Sequence, residues 1–149
     1  MEIEYFEDIK LNRKKVLGEY TADKEDMIEY ARQWDPQPFH IDEEAAKAYP
    51  YGALTASSGY TLAIVTLLRA TLESPRGAVL GMLEYEKVKF PKPVYAGDRL
   101  IVTSEPTEMR ESTSNSDCGI VKAQVEIRNQ HDEVVLSYIT VAMIAKRPQ

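Results

Sequence analysis

The sequence predicts an α+β fold, an antiparallel β-sheet wrapped around one long central helix. Three observations carry that expectation. Residues 53–72 hold the longest apolar-rich stretch, in which Leu62, Ile64, Val65, Leu67, Leu68 and Leu72 cover nearly every side of a helix and Arg69 is the one charge. A helix apolar all round must be buried. Four long segments near residues 79–90, 99–109, 120–128 and 134–145 then read as strands. In the third, Val121, Ala123, Val125 and Ile127 alternate with Lys122, Gln124, Glu126 and Arg128, so one face is buried and one is wet. Helix first and strands after suggests a sheet curled around the helix, with an edge left to pair with a second copy.

The chain has 149 residues, long enough for one domain with a full core, and is read as a single domain over 1–149. Apolar residues make up 44% and charged residues 28%, a globular balance. A net charge of −6 argues against a nucleic-acid partner, which selects a basic footprint. Cys118 is the single cysteine, so neither an intrachain disulfide nor a Cys-rich metal site is expected. No uncharged run reaches the ~18 residues of a membrane span, and the acidic start Met1-Glu2-Ile3-Glu4 lacks a signal-peptide pattern. The expected address is the cytoplasm, without membrane association.

In chain order, residues 15–20 form an early strand. Thr21 or Asp23 offers an N-cap for a helix over about 22–34, with Glu25 and Asp26 in its first turn, and Asp35-Pro36 ends it. Asp42 caps a second short helix containing Ala45 and Ala46, which Pro50 and Gly52 stop. Ser57 or Ser58 caps the central helix, with Gly59 in its first turn. Pro91, Pro93 and Gly97-Asp98 make a rigid connection, and residues 129–132 close a hairpin.

The stretch Trp34-Asp35-Pro36-Gln37-Pro38-Phe39-His40 carries the chemistry. It contains one of two histidines. Proline fixes φ and lacks an N–H, so the segment reads as a stiff, non-helical loop holding Asp35 and His40 at a set separation. The same residues also fit a Pro-rich turn whose acid caps a helix. His131 reads as a solvated turn residue, Asp98 as a turn support and Cys118 as inert. Lys87, Lys89, Lys92 and Arg99 suit either phosphates or a solvated strand face. His40 with scattered carboxylates does not make a metal set.

These residues resemble the MaoC-like hydratase/dehydratase family, which has the hotdog fold. The family motif Asp-x-Asn-Pro-x-His is matched by Asp35 through His40, with Gln37 in place of Asn. A Gly-rich entry to a buried helix is matched by Gly52 through Tyr60, and a Phe-x-x-Pro-Val-x-x-Gly-Asp run is similar to Phe90 through Asp98. The resemblance implies reversible addition of water to a trans-2-enoyl thioester, with coenzyme A as part of the substrate and no separate cofactor or metal. It casts Asp35 and His40 as the pair that holds the water and Gly59 as the backbone donor to the thioester oxygen. Gln37, Ser58 and Tyr60 are the candidate substrate contacts. A homodimer or dimer of dimers is expected, with the catalytic pair facing a tunnel near its interface. A non-catalytic acyl-binding protein, a heteromer subunit and a hotdog thioesterase are the alternatives.

Overall fold

The computed structural model describes residues 2–149. Strands β1 (Ile3–Glu4) and β2 (Lys15–Thr21) open the chain. Helices α1 (Lys24–Trp34), α2 (Pro38–Ile41), α3 (Glu43–Ala46) and α4 (Ser58–Thr71) follow. Strands β3 (Arg76–Gly77), β4 (Val79–Lys89), β5 (Arg99–Glu111), β6 (Cys118–Arg128) and β7 (Val134–Ala145) complete it. The large sheet has five strands in the order β2-β5-β6-β7-β4, every neighbour antiparallel. This matches the early strand and four long strands read from the sequence. The parallel ladder of β1 with β3 was not foreseen, because two residues on each strand are too few to show a period.

The inner face of the sheet packs on α4. Leu68, Val65, Leu17, Leu100, Val102, Val125 and Ile127 meet there, each no more than 2% exposed. Burying one such side chain contributes about 1.5–3 kcal/mol, so this seam holds the helix against the strands. The outer ends of the sheet differ. β2 is short and bulged between Val16 and Gly18. β4 is longer and carries Leu80, Met82, Leu83, Tyr85 and Val88 exposed along its edge.

Two expectations change. The segment after Asp35 is not wholly non-helical: Pro38–Ile41 forms one turn of helix. Pro38 sits in its first turn, where a missing N–H costs nothing. Nor is α4 buried all round. Ala63, Thr66, Leu67 and Ala70, spaced along one side, are exposed, with Leu67 at 44%.

Candidate active site

Local rules bring the site together. Asp23 caps α1 by accepting from the Asp26 N–H at 3.1 Å. The helix stops at Asp35, whose N–H still reaches the Ala31 carbonyl at 2.9 Å while its own φ and ψ leave the helical region. The Asp35 carbonyl accepts from the Gln37 N–H at 2.8 Å, and the Gln37 carbonyl accepts from the His40 N–H at 2.9 Å. This tight folding turns the His40 ring back toward the Asp35 carboxylate.

The two groups meet: His40 Nε2 lies 3.4 Å from Asp35 Oδ2. His40 Nδ1 lies 2.7 Å from the Thr55 carbonyl oxygen. A carbonyl can only accept, so Nδ1 carries the proton and Nε2 is the nitrogen left to exchange one. His40 is buried, whereas the Asp35 side chain is 32% exposed. The imidazole is therefore fixed by protein and the carboxylate reachable from outside.

Ser57 links this pair to α4. Its hydroxyl donates to Asp35 Oδ2 at 2.8 Å and accepts from the Gly59 N–H at 3.3 Å. Gly59 also has a steric reason to be glycine: a Cβ there would stand 2.4 Å from the Tyr30 hydroxyl. The Gly59 N–H, expected to receive the thioester oxygen, is thus aimed at Ser57 in the free chain. The bond is long enough to be exchanged for a stronger acceptor.

The third motif acts at a distance. Gly97 turns with φ +90°, and its N–H donates to the Ala22 carbonyl at 2.7 Å. Asp98 accepts from the Tyr95 N–H and from Gln130 Nε2, both at 2.9 Å. So braced, Val94 accepts from the Ala56 N–H at 2.9 Å and Tyr95 bridges Thr55. Those contacts place the Thr55 carbonyl that fixes His40. Thr55 and Ser57 are therefore positioning residues absent from the expected site. Thr55 acts through its backbone, which no side-chain pattern reveals, and Ser57 looked like an ordinary helix cap.

The remaining candidates are placed as follows. Gln37 caps α2 through its backbone and is exposed, as is Ser58 at the start of α4. Tyr60 is buried and donates its hydroxyl to Asp26 Oδ2 at 2.9 Å, beside Tyr20, which donates to the same oxygen at 2.7 Å. Burial first, and the Asp26 acceptor next, push the Tyr60 phenol far above its ordinary range. Its hydroxyl is committed away from the Asp35–His40 pair.

The pair expected to face a tunnel stands outside the walls of the two cavities that flank α4. A cavity of about 340 Å³ touches Trp34 and Tyr60, the neighbours of Asp35 and Gly59, together with Ala63 and Leu67 on the open side of α4. A larger one lies at the other end of α4. Neither is bounded by Asp35 or His40. Among the described residues no group of three or more His, Cys, Asp or Glu side chains is arranged around a metal position. No helix there is long and apolar enough to cross a membrane.

A family model described as MaoC like domain matches residues 8–129. The chain belongs to the MaoC-like family. Its fold is the hotdog fold. This MaoC-like chain is similar to the MaoC-like dehydratase from Rhodospirillum rubrum, with 30% identity, a TM-score of 0.89, and coverage of 98% of this chain and 99% of that one. It is 31% identical over 129 residues to a UPF0336 protein of Streptomyces avermitilis, covering 81% of this chain and 82% of the relative. It is also 31% identical over 94 residues to 3-hydroxyacyl-thioester dehydratase Z of Mycobacterium tuberculosis, covering 62% of each. The MaoC-like chain thus sits in a hydratase/dehydratase family.

Proposed function

We propose that this chain adds water reversibly across the double bond of a trans-2-enoyl thioester. The observation that carries the reading is the 3.4 Å contact between Asp35 Oδ2 and His40 Nε2, with Nδ1 fixed on a carbonyl. A water held between them gives a proton to Nε2 as its oxygen bonds to C3. The π electrons move through C2 onto the thioester oxygen, where amides of the first turn of α4, Gly59 foremost, receive the charge. A proton then returns from the pair to C2, so the enzyme ends unchanged. The chemistry needs no cofactor beyond the coenzyme A or other thiol of the substrate. A relative named for 3-hydroxyacyl-thioester dehydration supports the substrate class.

The open side of α4 and the apolar edge of β4 support a second copy as partner. Its cover over Ala63 and Leu67 would complete an acyl path starting at Gly59.

The test is turnover of enoyl-coenzyme A substrates of graded length, followed by loss of conjugated ultraviolet absorbance. Asp35→Asn or His40→Gln should slow hydration by roughly 10²–10⁴-fold with the fold intact. Hydration within threefold of the parent in both variants removes the mechanism. A second reading, an acyl-binding protein without turnover, draws on the Gly59 N–H being occupied by Ser57. Saturable thioester binding with no absorbance change across the panel would establish it instead. Release of free thiol from a saturated thioester would mark a thioesterase.

A further inference from the structure

Three phenols converge near the start of α4, and they are not used alike. Tyr20 and Tyr60 both donate to Asp26 Oδ2, at 2.7 and 2.9 Å. Tyr30 lies one turn beyond Asp26 on α1, its ring edge-on to that of Tyr60 with centroids 5.8 Å apart. Its hydroxyl does not join the other two. Among the described residues it makes no hydrogen bond, and it stands instead over Gly59, where a Cβ would lie 2.4 Å from it. Tyr30 is half-buried, so this donor is neither committed to the fold nor freely bathed by solvent.

The position matters more than the missing partner. A Cβ lies about 2.5 Å from the nitrogen of its own residue, so the Tyr30 oxygen is no more than about 5 Å from the Gly59 nitrogen. Two donors up to about 6 Å apart can share one acceptor, each at about 2.9 Å from it. The glycine leaves that gap open, because any side chain at residue 59 would fill it. Ser57 accepts from the Gly59 N–H and donates to Asp35, so the gap is two hydrogen bonds from the catalytic carboxylate. Tyr30 also stands in the wall of the 340 Å³ cavity beside Trp34 and Tyr60, which gives a substrate atom a way in.

We propose that Tyr30 is a catalytic residue whose hydroxyl donates, together with the Gly59 N–H, to the thioester oxygen as that atom gains charge. The proposal rests on the hydration reading above and adds a side-chain donor to the backbone one. The phenol keeps its proton throughout: it stabilises the oxyanion, while Asp35 and His40 carry the proton traffic. A fixed donor aimed at developing charge lowers the barrier without first having to reorient.

Tyr30→Phe tests this, because it removes the oxygen and keeps the ring that packs on Tyr60. The kcat for but-2-enoyl-coenzyme A should fall about tenfold to a hundredfold with KM within about threefold of the parent. The melting temperature should stay within about 1 °C, since the hydroxyl bonds to nothing in the fold. A second readout needs no turnover. Infrared spectra of carbonyl-labelled butanoyl-coenzyme A bound to the parent should show the thioester stretch moved to lower wavenumber, and Tyr30→Phe should give back about half of that shift. Unchanged kcat in folded Tyr30→Phe, a loss confined to KM, or an unaltered carbonyl stretch overturns the proposal and leaves the Asp35–His40 mechanism standing. Parent-like hydration by Asp35→Asn beside a slow Tyr30→Phe removes that mechanism and keeps the donor. Absence of thioester binding by the parent overturns both.

Discussion

Replacing Ser57 with alanine removes one oxygen on which two neighbours rely. The first loss is the cap of α4, because the Gly59 N–H forfeits its acceptor at 3.3 Å. Caps of this kind contribute about 1 kcal/mol. The second loss is the 2.8 Å hydrogen bond to Asp35 Oδ2. A hydrogen bond to a charged group contributes about 1.5–3 kcal/mol. With the Asp35 side chain 32% exposed, water takes over much of that role, leaving about 0.5–1 kcal/mol. The expected total is about 1.5–2 kcal/mol, or roughly 3–8 °C in the melting temperature of a domain this size. Activity should fall further than stability explains. The carboxylate loses the contact that holds it 3.4 Å from His40, so kcat drops about tenfold with KM little changed. Ser57→Thr keeps the oxygen and should recover most of both. Calorimetry with steady-state kinetics on the three proteins decides it. A melting temperature within about 1 °C of the parent would refute the cap estimate. A kcat unchanged in fully folded Ser57→Ala would refute the positioning role.

Gly59→Ala should cost about 1 kcal/mol, since its Cβ would stand 2.4 Å from the Tyr30 hydroxyl. In a Tyr30→Phe background that cost should shrink, and equal costs in a denaturant double-mutant cycle would show that the close approach is not responsible. Leu83→Lys, on the exposed β4 edge, should shift the mass measured by ultracentrifugation toward the 16.9 kDa of one chain; an undisturbed oligomer would place the interface elsewhere. Tyr60 and Tyr20 keep their protons in the folded chain above the ordinary phenol value of 10.0. Below that pH both states hold these protons and the two groups add no pH dependence. Above it the unfolded chain ionises first, so stability falls as pH rises. Tyr60→Phe should flatten that alkaline fall in denaturant midpoints, and an unaltered slope would count against the tyrosine assignment.

The strands were readable from their apolar runs between turn residues, with β6 alternating at period two, and β7 runs Val134–Ala145, the limits expected. The close of α1 at Asp35-Pro36 was legible from residue type alone, whereas its cap was narrowed only to Thr21 or Asp23, of which the structure uses Asp23. The turn at Pro38–Ile41 was not. Two prolines within three residues look like an unbroken loop until one recognises that Pro38 can begin a helix it could not continue. At the site, the spacing of Asp35 and His40 marked the pair, and the structure places them together. What escaped were interactions without a side-chain signature, such as the Thr55 carbonyl, or with two uses, such as the Ser57 hydroxyl. The open side of α4 was equally hidden, because composition cannot say whether an apolar helix is covered by its own chain or left bare.

The bulge between Val16 and Gly18 bears on how assembly ends. Two chains joined along β4 would form one continuous sheet whose outermost strand on each flank is β2. That strand has seven residues, a break in its register and Glu19 exposed beside it. A third molecule meets neither a long straight ladder nor a neutral one. In such a pair, growth by strand addition would halt at a closed particle instead of running on into a fibre.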